Sequence, residues 1–159
     1  MNQPMTASLP SNNGEAKITL GFNGRSEYAH EPGFESTIRI EGRLWDGNHT
    51  HPIAFSVEGV WLSLDGLQKF RDHIIGWNSL PPNQMGQSLL NGDFELATLP
   101  GQKVCLSFGP RPDVISGMNP VVSILVNAGP FLGQYHFVTD QSCLGHFAHE
   151  LSSAMNTRA

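Results

Sequence analysis

The sequence predicts an α+β protein: a largely antiparallel sheet of about seven strands with two helices packed on one side, in the order βββα-ββββα. Three observations carry this expectation. Several segments alternate apolar and polar residues with period two, the pattern of half-buried strands. Two segments place Leu and Phe at helical spacing after a small polar residue, so Leu67 and Phe70 follow Ser63 as Leu144 and Phe147 follow Asp140. The chain has 17 Gly and 11 Pro in 159 residues, with short apolar runs between them, as a β-rich chain with frequent turns requires.

Residues 1–14 are polar and read as a flexible lead-in; residues 15–156 read as a single domain. From Ala16 to Phe22 the alternation is clean, with Ala16, Ile18, Leu20 and Phe22 on one face. Asn23 to Gly33 reads as a polar connection. Glu35 to Asp46 is a long strand with Ile38, Ile40 and Leu44 on one face and alternating Glu and Arg on the other. After the loop Gly47–Pro52, Ile53 to Leu62 returns as its hairpin partner, with Gly59 marking a bulge or a close backbone approach.

Ser63 then caps a first helix with Asp65 in its first turn, where a carboxylate complements the helix dipole. Its apolar stripe is Leu67, Phe70, Ile74 and Trp77, and Pro81-Pro82 prevents continuation. Asn83 to Asn91 reads as a loop. Phe94–Leu99 and Lys103–Phe108 are short strands around the Pro100-Gly101 turn, and Gly109 to Asn119 is irregular. Val121–Val126 is the most apolar strand and is expected to be central, Phe131–Val138 is the last strand, and Asp140 caps a second helix with the stripe Leu144, Phe147, Ala148, Leu151 and Met155.

Composition excludes several classes of function. The net charge is −5, from 9 Lys and Arg against 14 Asp and Glu. Scattered cations do not displace the counterions of a nucleic acid, so no nucleic-acid partner is expected. No apolar run approaches the roughly 20 residues that span a bilayer, and the first residues lack the apolar core of a signal peptide. Cys105 and Cys143 have no zinc spacing, and both sit in apolar patterns that favour reduced thiols. The expected setting is cytoplasmic, with no membrane partner.

No catalytic constellation emerges. His49 and His51 flank Thr50 in a hairpin loop without a completing ligand set. His146 and His149 share a helix face, with Glu150 or His136 as the nearest further ligands in sequence. Cys105 has no histidine placed beside it, and neither a GxSxG elbow nor a phosphate-binding glycine loop occurs. No cofactor, metal or catalytic residue is expected.

The acids Glu27, Glu31, Glu35, Glu41, Asp46, Glu58 and Asp65 outnumber Arg39 and Arg43 in one segment. Trp45 falls on the polar face of its strand, and exposed aromatics are enriched at interface hot spots. Glu31, Glu35, Glu41, Trp45 and Asp46 are therefore the candidate partner-binding residues, suited to a basic protein partner.

The run Gly59-Val-Trp-Leu-Ser-Leu-Asp-Gly-Leu-Gln-Lys-Phe70, then Gly92-Asp-Phe-Glu-Leu96 and Val104-Cys-Leu-Ser-Phe108, then the closing strand Phe131–Val138 and the helix carrying Asp140, Leu144, Phe147 and Leu151, resembles WapI-like bacterial immunity proteins of polymorphic and contact-dependent toxin systems. The resemblance covers residues 16–155 and consists mainly of fold signatures. It implies a single-domain inhibitor that neutralises a cognate toxin by stoichiometric binding, without chemistry of its own. The alternatives are a small metal-assisted hydrolase using His146 and His149, and a general protein-interaction module.

Overall fold

In a computed structural model that describes residues 5–81, 90–111, 114, 117 and 119–158, the chain forms eight strands and two helices. The strands are β1 (Met5–Pro10), β2 (Lys17–Tyr28), β3 (Glu31–Trp45), β4 (Thr50–Ser63), β5 (Gly92–Leu99), β6 (Gln102–Phe108), β7 (Val121–Ala128) and β8 (Phe131–Val138). Helix α1 (Leu64–Asn78) follows β4, and α2 (Gln141–Arg158) follows β8. Most of the loop expected at Asn83–Asn91 and part of the irregular stretch Gly109–Asn119 lie outside the described residues.

The α+β class holds, but the single seven-stranded sheet does not. Two antiparallel four-stranded sheets form instead, in the orders β1-β2-β3-β4 and β5-β6-β7-β8. Each half of the chain therefore runs four strands and then a helix. The missing strand lies in the segment expected to be a flexible lead-in: residues 5–10 form β1, paired from Met5↔Phe22 to Pro10↔Lys17. Ala7 and Leu9 are fully buried there, so pairing and burial order a segment whose composition gives little sign of it. The polar connection expected from Asn23 to Gly33 is likewise mostly strand, because β2 and β3 continue their ladder out to Tyr28↔Glu31.

Helix α1 forms as its capping pattern requires. Ser63 is extended and its side chain accepts the Gly66 N–H, while Leu67, Phe70, Ile74 and Trp77 are buried. In α2 the Cys143 N–H donates to Asp140 Oδ1 at 2.8 Å, and Leu144, Phe147, Ala148, Leu151 and Met155 are buried. Phe70 stacks on Phe108 at 5.3 Å and meets Phe94 and Phe147 edge-on, joining α1 to β5, β6 and α2. The apolar faces of both sheets and both helix stripes contribute to one buried cluster. In β7, Val122, Ile124 and Val126 are buried while Leu125 is half-buried, so only one face of this inner strand is fully covered.

The expected bulge at Gly59 is present. Ser36 pairs with Val60 and Ile38 with Val57, so Glu58 and Gly59 together oppose Thr37, and Gly59 has a φ of 69°. This extra residue shifts the face on which β4 presents its side chains. Ile53, Phe55 and Val57 share the face of Ile38, but beyond the bulge Val60 and Leu62 take over and Trp61 turns to the outer face beside Glu35. There its indole lies over Gly33, where an added Cβ would come within 2.5 Å.

The β3–β4 hairpin outruns its neighbour. Pairing with β2 stops at Lys17↔Glu41, whereas pairing with β4 continues to Trp45↔Thr50. Leu44 keeps the parity of Ile38 and Ile40, yet it is 55 % exposed because it lies past the end of β2.

Candidate functional site

Strand β3 alternates without interruption, so Glu31, Glu35, Glu41 and Trp45 occupy the same outer face. They do not form one patch. β3 is 15 residues long, and at about 3.4 Å per residue Glu31 and Trp45 stand roughly 48 Å apart along the strand. The candidate residues divide into separate settings.

At the start of β3, Glu31 Oε1 accepts a hydrogen bond from the Ser63 hydroxyl at 3.0 Å, and that same hydroxyl oxygen accepts the Gly66 N–H at 3.2 Å. Glu31 thereby joins a cleft of about 340 Å³ whose wall includes Trp61, Asp65, Lys69, Asp93 and Glu95. The sequence separates these carboxylates widely, since Asp93 and Glu95 belong to the other sheet, and no local pattern signals that they meet. Glu35 is exposed and faces Trp61 across the ladder.

Glu41 is neutralised on the spot. Arg39 Nε lies 2.7 Å from Glu41 Oε1 and Lys17 Nζ 3.5 Å from Oε2. The hydrogen bond from Arg39, with the charge of Lys17 assisting, holds its carboxyl below the usual range. A carboxylate so paired contributes little to long-range steering of a cation.

At the far end, Asp46 organises the hairpin turn. Its Oδ1 accepts the N–H groups of Asn48 at 2.8 Å and His49 at 2.7 Å, and its Oδ2 lies 2.6 Å from His51 Nε2. The backbone bond from His49 is the main reason its carboxyl sits below the ordinary value. Beside it, Trp45 is 68 % exposed. A fixed turn thus presents a bare indole at the tip of an overhanging hairpin.

The remaining candidates have local roles. His146 is exposed, with Nε2 4.0 Å from Glu150 Oε2. The other oxygen of Glu150 accepts the Ser8 N–H at 3.0 Å, tying α2 to β1. His149 lies in a shallow groove between the helices with Ile75, Asn78 and Ser152. Among the described residues, no group of three or more His, Cys, Asp and Glu side chains is placed to hold a metal ion. Cys105 and Cys143 are unbridged and half-buried, and burial pushes both thiols up. No helix among the described residues is long and apolar enough to cross a membrane.

No family model and no curated protein matches the chain. Among solved structures, that of the plant transcriptional regulator PBF-2 is similar at a TM-score of 0.45 and 11 % identity, over 99 % of this chain and 84 % of that one.

Proposed function

We propose that the chain is an immunity protein that binds and neutralises a cognate bacterial toxin by forming a stoichiometric complex in the cytoplasm. The observation that carries this reading is Trp45, a large aromatic left 68 % exposed on a hairpin whose turn Asp46 holds in place. A large exposed indole on a backbone fixed by the turn is suited to fill a pocket on a partner, and its two side-chain torsions give it little entropy to lose. Glu35, exposed further along the same face, supplies the negative charge for steering, whereas Glu41 and Asp46 are already engaged. The function needs no cofactor and no catalytic group.

The test is co-expression with the product of the adjacent reading frame. The proposal expects growth rescue and a one-to-one complex on gel filtration. Trp45→Ala is expected to weaken that complex about 30-fold, the hot-spot scale of about 2 kcal/mol. Glu35→Lys is expected to slow association at low salt and much less at high salt. Absence of both rescue and complex formation would remove the immunity reading.

A further inference from the structure

The four sheet edges of this protein are closed very differently. Along β1 lies α2, and its Glu150 accepts the outward Ser8 N–H. Against β5 sits the start of α1, so close that a Cβ on Gly66 would come within 2.6 Å of the Glu95 carbonyl oxygen. β5 also carries Asp93 and Glu95 and is bulged at Leu96. β4 contains Pro52, which has no N–H to offer, and the bulge at Gly59. Just past the bulge, the Gln102 carboxamide accepts the Trp61 N–H at 3.3 Å and donates to the Gly59 carbonyl at 3.2 Å. These are the two bonds that one residue of a parallel neighbouring strand would make with its N–H and C=O. Natural sheets protect their edges with such charges, prolines, bulges and coverings.

β8 has none of these devices. From Phe131 to Val138 it contains no Asp, Glu, Lys, Arg or proline, and its register with β7 is unbroken. Its inner face meets the first sheet, with Phe131 5.2 Å from Phe55 and Tyr135 against Gly42. Its end is tied by the Asn12 N–H to the Val138 carbonyl at 2.9 Å. Among the described residues no element lies along the rest of its outer edge, and Leu132 is 69 % exposed.

We propose that the β8 edge is a docking site for β8 of a second copy of this chain, paired antiparallel across a two-fold axis. The charge pattern selects this occupant. Laid against itself, a strand without Asp, Glu, Lys or Arg opposes no like charges, since its His136 falls opposite Leu132, and it carries no fixed charge by which a strand of opposite sign would be chosen. The sequence is also self-complementary about Gln134. With Gln134 facing its own copy, Phe131 falls opposite Phe137 and Leu132 opposite His136. The two carboxamides supply a donor and an acceptor each. Two-fold dimers are the commonest closed assemblies, and this pairing would join the two second sheets into one. It does not depend on the immunity reading.

Sedimentation of the full chain from low to high micromolar concentration tests it, with a dimer expected. Gln134→Lys, which opposes two cations at the axis, is expected to give a monomer with an unchanged circular dichroism spectrum. Gln134→Cys, with Cys105→Ser and Cys143→Ser, is expected to cross-link on mild oxidation, because directly opposed residues stand about 4.5–5.5 Å apart, within disulfide range. A wild-type chain that stays monomeric throughout would overturn the proposal. So would a dimer that survives Gln134→Lys and resists cross-linking at 134, or a β8 edge that pairs only with another protein's strand.

Discussion

The Ser63 hydroxyl donates to Glu31 at 3.0 Å while capping α1 through the Gly66 N–H, so one side chain links the start of β3 to the start of the helix. Ser63→Ala is therefore expected to lower stability by about 1 kcal/mol in urea unfolding. Aspartate is ordinarily as good a cap as serine. Here it would set a second carboxylate against Glu31, so Ser63→Asp is expected to restore little of the loss. Adding Glu31→Gln to Ser63→Asp should recover it, and a double-mutant cycle measures the coupling.

The β2–β3 hairpin turns through two residues with positive φ, Ala29 at 52° and His30 at 67°. Both central positions of such a turn favour Asn and Gly. An L-residue without a compensating side chain gives up roughly 1–2 kcal/mol in that region. Ala29→Asn together with His30→Gly is expected to raise the melting temperature by several degrees, read by differential scanning calorimetry.

Gly33 and Gly42 both sit under aromatic rings, but their neighbours differ in how far they can yield. A Cβ at Gly33 meets the Leu62 carbonyl oxygen at 2.5 Å and the Trp61 indole at 2.5 Å and 2.6 Å. At Gly42 it meets the end of the Tyr135 side chain, which can swing aside. Gly33→Ala is expected to cost about 2–3 kcal/mol, at the upper end of overpacking, with a red shift in fluorescence as Trp61 becomes exposed. Gly42→Ala should cost about 1 kcal/mol or less.

Asp46 gives the hairpin a pH dependence with a definite sign. Its carboxyl is held below the ordinary aspartate value by the N–H groups of His49 and Asn48 and by His51. A depressed folded value stabilises the turn above the unfolded pKa of about 3.9, and that contribution is lost as pH falls through the folded value. The amide shifts of Asn48 and His49 are expected to report this transition below pH 4. Asp46→Asn should abolish it.

Much of the secondary structure was legible because its signals are local. The stripes of α1 and α2, the caps at Ser63 and Asp140 and the bulge at Gly59 all appear within a few residues of sequence. Division into two sheets was not legible, since it depends on which distant strands pair. Ala7 and Leu9 are too few to announce β1 in a polar segment, and only β2 and α2 bury them. The spacing of the candidate residues was not legible for a related reason. Glu31, Glu35, Glu41 and Asp46 form a dense acidic segment in sequence, but an extended strand spreads them and partners within the fold engage all but Glu35.

The bond between Glu150 and Ser8 closes a span of 142 residues. On a ribosome adding about 5–20 residues per second, Glu150 follows Ser8 by roughly 7–28 s. During that interval β1 and β2 have no α2 to cover them. The nascent protein must therefore carry an open strand edge until α2 has been made, an order of synthesis that leaves β1 the last strand of its sheet to be covered.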